Sequence, residues 1–236
     1  MSEIICQNLS VIFPVIHRPY KIKGGKKIRT NSLISINALS CINLSIKQGE
    51  RVGLLGKNGA GKTTFLRSLA GVYAPSSGKL MVNGRVTSLF EANVGMDQNA
   101  TGYQNIPLLM ALRQIPMSKY DEVVADVEKF TELKEALGRL VRTYSRGMKL
   151  RIAFAIATFE QNNEILLMDE VMGGGDKDFK AKSKKRIENF ISKAGILVLA
   201  SHSSDTLKKY CTRGITFEEG KIIFDGSIED AINYKN

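Results

Sequence analysis

The sequence predicts an α/β fold in which short buried strands alternate with helices. Residues 51–55 form a compact apolar run that leads into a glycine-rich loop, and a helical pattern begins at Lys62. Residues 165–168 and 196–200 are two more apolar runs of the parallel-strand type, separated by a helical pattern over 177–193. This order of strand, helix and strand predicts a βαβ unit and therefore a parallel sheet.

The N-terminal part is predicted to be mostly strand. Residues 3–13 and 33–47 have strand character, and the stretch between them contains a basic segment, 18–29, with no acidic residue. Its basic side chains are Arg18, Lys21, Lys23, Lys26, Lys27 and Arg29. Gly24-Gly25 at the centre favours a two-residue turn, so a small basic hairpin is expected. Such a hairpin is either a solvated surface element or a contact for lipid headgroups or polymer-linked phosphates.

Three further patterns complete the predicted architecture. Residues 79–90 contain short strands around Asn83-Gly84, a dipeptide that is a strong hairpin signal. Residues 102–160 are mostly helical in pattern. Ser227, with Asp230 three residues later, is suited to cap a short final helix.

Composition is that of one globular domain spanning residues 1–236, with 43% hydrophobic and 24% charged residues. No run reaches the roughly 18 apolar residues of a spanning helix, and the first residues lack a signal-peptide pattern. A cytosolic location is expected. Three widely spaced cysteines, Cys6, Cys41 and Cys211, predict free thiols without a role. The formal net charge of +11 suits nucleic acid, an anionic membrane surface or an acidic partner, and charge alone does not choose among them.

The strongest motif is a phosphate-binding loop between a predicted strand and a predicted helix. Its residues are Gly56, Lys57, Asn58, Gly59, Ala60, Gly61, Lys62 and Thr63, followed by Thr64. Glycines let backbone N–H groups approach a polyphosphate, and the helix N-terminus adds partial positive charge. Lys62 is predicted to reach the β- and γ-phosphates of ATP, and the Thr63 hydroxyl to ligate Mg²⁺.

A second motif is the apolar strand 165–168 that ends in Asp169 and Glu170. Phosphoryl transfer needs mainly positioning and neutralisation of charge from the protein. Asp169 is therefore predicted to hold Mg²⁺ through water, and Glu170 to act as the general base that polarises the attacking water.

A short serine-glycine element, residues 144–148 (Tyr-Ser-Arg-Gly-Met), lies between these two motifs and opens an apolar helix. This order of motifs resembles the ATPase subunits of ABC transporters over essentially the whole chain. Ser145 and Gly147 match two positions of that family's Leu-Ser-Gly-Gly-Gln signature, whereas Tyr144, Arg146 and Met148 depart from it. The resemblance implies a P-loop core with an N-terminal antiparallel β subdomain and an inserted helical subdomain near 92–160. It also implies a homodimer in which Ser145 and Gly147 contact the γ-phosphate of ATP held by the other copy.

The resemblance assigns three further residues to the ATP site. Asp176 matches the aspartate of the family's D-loop, and His202 matches the switch histidine that contacts the γ-phosphate. Phe13 matches the aromatic residue that stacks on adenine, with Tyr20 as an alternative.

Glu91 stands where the family usually has a glutamine that couples Mg²⁺ and water to the membrane partner. A carboxylate is able to ligate Mg²⁺ but does not donate hydrogen bonds as an amide does. Glu91 is accordingly a candidate metal ligand, and Gln98 is an alternative for the glutamine.

Finer detail is similar to the branch that exports O-antigen, capsular polysaccharide or teichoic acid. Three segments resemble that branch: the signature at 144–148, residues 88–106 with Thr101-Gly102 and Asn105, and residues 169–176. Gln104 stands where the branch has a glutamate. The resemblance implies a 2:2 complex with a membrane permease at the cytoplasmic face of the inner membrane, and export of a lipid-linked polysaccharide. The chain is expected to lack the carbohydrate-binding domain that some members append.

Two other functions remain as alternatives. One is the ATPase subunit of another ABC importer or drug exporter, which the signature and the segment around Glu91 disfavour. The other is an ABC-type ATPase acting on nucleic acid or ribosomes. That class usually has coiled-coil insertions or two ATPase domains, and neither is present in this sequence. A nucleic-acid partner is therefore not expected.

Overall fold

A computed structural model describes residues 1–17, 20–23, 26–29, 32–89, 95–159, 163–169 and 177–235. The chain forms two compact units. The first unit joins Met1–Gly84 to Val198–Asn236, and the second is Arg85–Leu197.

Strands and helices follow one another in the predicted alternation. The strands are β1 (Glu3–His17), β2 (Tyr20–Lys23), β3 (Lys26–Arg29), β4 (Ser32–Lys47), β5 (Arg51–Leu55), β6 (Ser77–Asn83), β7 (Val86–Ser88), β8 (Ile165–Asp169), β9 (Ile196–Ala200), β10 (Arg213–Glu218) and β11 (Lys221–Ser227). The α-helices are α1 (Lys62–Leu69), α2 (Gly102–Leu112), α3 (Tyr120–Thr131), α4 (Arg146–Ala157), α5 (Lys177–Ser192), α6 (Ser204–Tyr210) and α7 (Ile228–Lys235).

An antiparallel sheet of order β4-β1-β6 forms one part of the first unit. Glu3 is paired with Lys47 of β4 on one side and with Asn83 of β6 on the other. The strands predicted over 3–13 and 33–47 are confirmed, and both extend toward the basic segment. There β2 and β3 pair antiparallel from Tyr20↔Arg29 to Lys23↔Lys26, as expected of a hairpin, and its Gly24-Gly25 turn lies outside the described residues.

The other part of the first unit is the α/β core. β5 lies between β10 and β9, and it runs parallel to β10 with Gly53 opposite Gly214. Every residue of β5 after Arg51 is buried, as expected for a strand covered on both faces. Phe65 of α1 is fully buried and packs against Phe217 of β10, with ring centroids 5.4 Å apart. This contact fixes α1 and the loop before it on the sheet.

The hairpin predicted at Asn83-Gly84 is wrong. β6 pairs with β1, whereas β7 pairs in parallel with β8, Val86 lying opposite Ile165. The division between the two units falls directly after Gly84, which has a φ of +123°. The long ladder with β1 satisfies the hydrogen bonds of more backbone groups of β6 than pairing with the three-residue β7 could satisfy. The chain therefore passes from the first unit into the second at Gly84 and does not form a hairpin there.

The second unit contains the helices predicted over 102–160. α2, α3 and α4 enclose one apolar core, whose fully buried members include Ile106, Met110, Val123, Val127 and Ile152. These helices lie inside the predicted subdomain range 92–160, and the compact unit that contains them is wider. It also includes β7, β8 and α5.

A charged and aromatic contact joins α5 to α3 within the second unit. Arg186 of α5 donates two hydrogen bonds to the carboxylate of Asp126, at 3.0 and 2.6 Å. Its guanidinium also lies 4.4 Å from the ring centroid of Phe130. The planar, bidentate geometry makes this pair stronger than an ordinary surface ion pair.

Two predictions from composition can be compared with the described residues. No described helix is both long and apolar enough to cross a bilayer. All three cysteines are free, as expected, and burial raises the pKa of both Cys6 and Cys211 to about 12. Thiols held in the protonated form are weak nucleophiles.

Candidate nucleotide site

The glycine-rich loop after β5 ends at Lys62, the first residue of α1. Lys62 is only 8% exposed, and its side chain folds back over the loop. Its Nζ donates hydrogen bonds to the carbonyl oxygens of Gly56, at 2.7 Å, and Lys57, at 3.0 Å. The loop therefore surrounds a positive charge at the N-terminus of a helix, the arrangement that attracts phosphate groups.

Two glycines of the loop lie against the backbone of Phe217 and Ala38, where a side chain would not fit. Gly56 has a φ of +134°, and a Cβ there would lie 2.3 Å from the carbonyl oxygen of Phe217. Gly61 has a φ of +113°, and its Cβ would lie 2.9 Å from the carbonyl oxygen of Ala38. Any L side chain at Gly56 would both strain the backbone and displace β10.

A turn from the far end of the chain braces the loop. The N–H of Gly220 donates to the carbonyl of Ala60 at 2.9 Å, and the carbonyl of Gly220 accepts from the N–H of Ser40 at 2.8 Å. The sequence analysis predicts no role at the site for Gly220. No local pattern carries that signal, because the contact joins residues 160 positions apart.

The loop residues predicted to meet phosphate differ in exposure. Lys57, Asn58 and Gly59 are exposed, Ala60 is buried, and Thr63 is exposed in the first turn of α1. Thr64, the next residue, is half-buried. Exposure of Lys57, Asn58, Gly59 and Thr63 places this side of the loop and the first turn of α1 at the surface of the first unit.

Phe13 lies on β1 in the same unit and is half-buried. Its ring meets that of Tyr73 edge to face, with centroids 5.0 Å apart. The hydroxyl of Tyr73 accepts a hydrogen bond from Arg67 of α1 at 3.0 Å. Phe13 is thus held at one edge, and part of its surface remains accessible for stacking.

His202 follows β9, the strand next to β5, by two residues and is exposed. Buried Ser201 precedes it and accepts a hydrogen bond from the N–H of Ser203 at 3.1 Å. Ser203 in turn caps α6 by accepting from the N–H of Thr206 at 3.2 Å. Both neighbours of His202 are therefore fixed, and its imidazole sits at a defined strand-to-helix junction of the first unit.

In the second unit, Ser145 is the N-cap of α4 and accepts from the N–H of Met148 at 3.2 Å. It is exposed, and a Cβ at Gly147 would meet only the Ser145 Oγ, at 3.8 Å, among the described residues. Tyr144 before it is buried and donates to the carbonyl of Ala136 at 2.7 Å. The start of α4 is consequently anchored by Tyr144 and open at Ser145 and Gly147.

The segment before α2 is built around Asn105, which is fully buried. Its Oδ1 accepts from the N–H of Asp97 at 2.8 Å, and its Nδ2 donates to the carbonyls of Asp97 and Thr101, at 3.0 and 2.8 Å. Gln98 in this loop accepts from Lys149 of α4 at 2.7 Å. The loop that contains the alternative glutamine is thus tied to the signature helix within the second unit.

The remaining predicted residues lie at the edge of what the structure describes. Asp169 is the last residue of β8 and is half-buried. Glu91, Glu170 and Asp176 lie outside the described residues. Among those described, no group of three or more His, Cys, Asp or Glu side chains could hold a metal ion. Taken separately, Thr63 of the first unit has a hydroxyl oxygen and Asp169 of the second has a carboxylate oxygen. Both are donor types that suit Mg²⁺ held partly by water and substrate phosphates.

Comparison with known proteins gives the family. A family model described as "ABC transporter" matches residues 39–173, more than half of the chain. The chain therefore belongs to the ATP-binding subunits of ABC transporters.

Particular relatives are polysaccharide-export proteins. The O-antigen export system ATP-binding protein RfbE of Yersinia enterocolitica is 35% identical, over 97% of this chain and 99% of the relative. RfbB of Myxococcus xanthus, an O-antigen export system ATP-binding protein, is 36% identical over 85% of this chain. The teichoic acids export ATP-binding protein TagH of Shouchella clausii is 35% identical over 78%. The chain spans about half the length of these last two, 45% and 51%.

Solved structures confirm the predicted fold class. An ATP-binding subunit of an ABC transporter superposes with a TM-score of 0.68 at 21% identity, covering 96% of this chain and 90% of that one. A dimeric ATP-binding cassette in a post-hydrolysis state, bound to ADP and Pi, gives 0.68 at 18% identity, covering 95% and 98%. At these identities the likeness establishes the fold.

Proposed function

We propose that this chain hydrolyses ATP as the nucleotide-binding subunit of a transporter that exports a lipid-linked polysaccharide. The observation that carries the chemical half is Lys62, buried in a glycine loop at the start of α1. The transport half is supported by the relative RfbE, whose length the chain matches almost completely.

The reaction divides among the predicted residues. Lys62 and the N–H groups of the loop bind the β- and γ-phosphates. Thr63 and Asp169 would hold Mg²⁺, which when bound neutralises charge on the phosphates. Glu170 accepts the proton of the attacking water, and His202 donates a hydrogen bond to the γ-phosphate. Such a site works by positioning and electrostatic stabilisation rather than by covalent chemistry.

A second copy of the chain completes each site in this proposal. Ser145 is exposed at the N-terminus of α4, and the space around Gly147 is open, so a phosphate is able to approach the helix end closely. Asp176, between Glu170 and α5, is assigned to the same interface. The dimeric cassette with ADP and Pi is a precedent for the assembly in this fold.

The membrane half of the transporter is proposed to be a separate permease. No described helix is suited to cross a bilayer, and the relatives are named as ATP-binding proteins of export systems. Two ATPase chains on two permease chains, at the cytoplasmic face of the membrane, would couple ATP-driven closure to outward movement of the polymer. Glu91 is proposed to lie at this coupling point, in the role usually filled by glutamine.

The test is the distribution of polysaccharide in a strain that carries Lys62→Ala. Surface polymer should fall, and polymer inside the cell should accumulate, because synthesis continues while export loses its energy source. A strain with Lys208→Ala, which removes an exposed lysine of the first unit, is the matched control and should export normally. Normal surface polymer without internal build-up in the Lys62→Ala strain would rule out export and leave the ATPase assignment intact.

A further inference from the structure

The basic hairpin is the tip of a longer two-stranded arm, defined here by the described residues 12–17, 20–23, 26–29 and 32–37. β1 and β4 are paired from Ile12↔Asn37 to His17↔Ser32, and β2 and β3 continue from Tyr20↔Arg29 to Lys23↔Lys26. Within both ladders each step forward on one strand is matched by one step back on the other, and the register does not shift between the two ladders. The two ladders therefore share one register.

The arm begins where the third strand of its sheet stops. The last residue of β1 paired with β6 is Ser10, opposite Ser77, and the N–H of Ile12 then donates to Ser76 Oγ at 2.9 Å. Beyond this point, no other strand among the described residues pairs with either strand of the arm. Two-stranded ribbons are marginal in isolation, and their open edges are normally protected or put to use.

The base of the arm exposes apolar side chains. Ile12, Ile34 and Ile36 are 40%, 43% and 49% exposed. Ile34 and Ile36 are two positions apart on β4 and share one face of the ribbon with Val15, whereas Ile12, opposite Asn37, lies on the other face. An apolar strip of this kind is costly in water unless another surface covers it.

The strands near the tip carry positive charge only. Lys21, Lys23, Lys26, Lys27 and Arg29 lie in β2 and β3, and neither strand contains an acidic residue. Lys23 and Lys26 are directly opposite each other in the register. A run of basic residues without a neighbouring acid along the chain favours an anionic partner.

We infer that the arm is a docking surface for an anionic lipid bilayer. The inference is carried by the combination of a basic tip and an exposed apolar stem on one two-stranded ribbon, with which no third strand pairs among the described residues. Membrane interfaces take up both kinds of side chain at once, the basic groups contacting headgroups and the apolar groups entering the acyl boundary. A nucleic-acid partner or a soluble phosphate would use the charge and leave the isoleucines exposed. The inference goes beyond the proposed function and does not depend on ATP hydrolysis.

Vesicle co-sedimentation of the whole chain tests the docking surface. Wild-type protein should bind vesicles of phosphatidylcholine mixed with phosphatidylglycerol, bind pure phosphatidylcholine far less, and lose affinity as salt rises. The triple variant Lys21→Gln, Lys23→Gln, Lys27→Gln should bind roughly a hundredfold more weakly, from about fivefold per basic residue near the surface. The control is Lys79→Gln, Lys208→Gln, Lys221→Gln, which removes the same charge at exposed positions outside the arm and should bind within about twofold of wild type.

A second measurement separates the membrane from other anions. Replacing Ile34 and Ile36 with Ser should also weaken vesicle binding while leaving the salt dependence unchanged, since these residues contribute burial rather than charge. Unfolding curves that match wild type show that each variant is folded. The inference is overturned if the two lysine triples bind alike, if the isoleucine variant binds as wild type does, or if inorganic phosphate at constant ionic strength displaces the vesicles.

Discussion

Lys62 shows how backbone geometry prepares a charged side chain for its ligand. The carbonyls of Gly56 and Lys57 hold its ammonium over the loop, so little side-chain freedom remains to be lost when a phosphate binds. Gly56 makes this geometry possible, because its φ of +134° and its approach to Phe217 exclude any side chain. Charge and loop conformation thus depend on each other.

Removing this charge should abolish most of the ATPase activity. We expect Lys62→Ala to lower kcat/KM for ATP by about 10²–10³-fold, the usual effect of deleting one positioned group that stabilises transition-state charge. Lys208→Ala should leave kcat/KM within about twofold of wild type. Steady-state phosphate release at several ATP concentrations measures both variants. A Lys62→Ala protein with near-normal kcat/KM would remove Lys62 from the phosphate site.

The close approach of Gly56 predicts a stability effect that is separate from the chemistry. Gly56→Ala should lower the free energy of unfolding by about 3 kcal/mol, because overpacking against Phe217 adds to backbone strain. Gly71→Ala, at a φ of +75° with nothing within 4 Å of its Cβ, isolates the backbone term and should cost about 1 kcal/mol. Urea titration would provide both values, and equal losses would show that contact with Phe217 is unimportant.

For single residues, the sequence predicts which side chains form the site better than it predicts the contacts around them. The motif pattern places Lys62 and Thr63 because the chemistry needs those residue types at a fixed spacing. It does not predict that Gly220 hydrogen-bonds to Ala60, since that contact is set by the packing of β10 and β11 beside β5. The roles of Glu91, Glu170 and Asp176 stay predictions.

Among the elements, the start of α2 explains two features of the export-type sequence. Thr101 and Gln104 form a reciprocal capping box, so Gln104 performs structurally what a glutamate would perform at the same position. Gly102 lies so close to Tyr144 that a Cβ would be 2.5 Å from the tyrosine hydroxyl. The unusual first residue of the signature and the Thr-Gly pair are therefore parts of one packing arrangement within the second unit.

Asn105 is the residue on which this arrangement should depend most. Asn105→Ala removes three hydrogen bonds that fully buried Asn105 makes to the backbone of Asp97 and Thr101, and it should lower the free energy of unfolding by about 2–4 kcal/mol. Gln104→Glu preserves the capping box and should change the free energy of unfolding by less than about 0.5 kcal/mol. Chemical denaturation followed by circular dichroism measures both. A neutral Asn105→Ala would mean that the loop at Asp97 is held by other contacts.

Elements with a strong local pattern were predictable, and those chosen by distant pairing were not. The apolar periodicity after Lys62 predicts α1, and the β8, α5 and β9 order follows from two apolar runs and one helix. The hairpin prediction at Asn83-Gly84 was wrong because it rested on local turn chemistry, whereas β6 pairs with the distant strand β1. Register is a property of the whole sheet.

For the whole molecule, two kinds of information converge on one class of protein. Family membership and a solved-structure likeness over 96% of the chain establish an ABC ATP-binding fold. The exposed Ser145 end of α4, and the accessible Thr63 on the loop helix, each present a surface that a nucleotide shared between two copies would use. Transport work would then follow from ATP-driven closure of the pair on a permease.

The most direct test of this account is ATP-dependent dimerisation of the Glu170→Gln variant. If Glu170 is the general base of a site shared between two copies, hydrolysis should slow by about 10²–10⁴-fold while ATP binding persists. The variant should then elute from size-exclusion chromatography as a dimer with ATP and Mg²⁺ and as a monomer without them. Glu135→Gln, which alters an exposed glutamate, should hydrolyse ATP normally and show no such stable dimer. A Glu170→Gln protein that binds ATP but stays monomeric, or that hydrolyses it at the wild-type rate, would contradict the shared-site account.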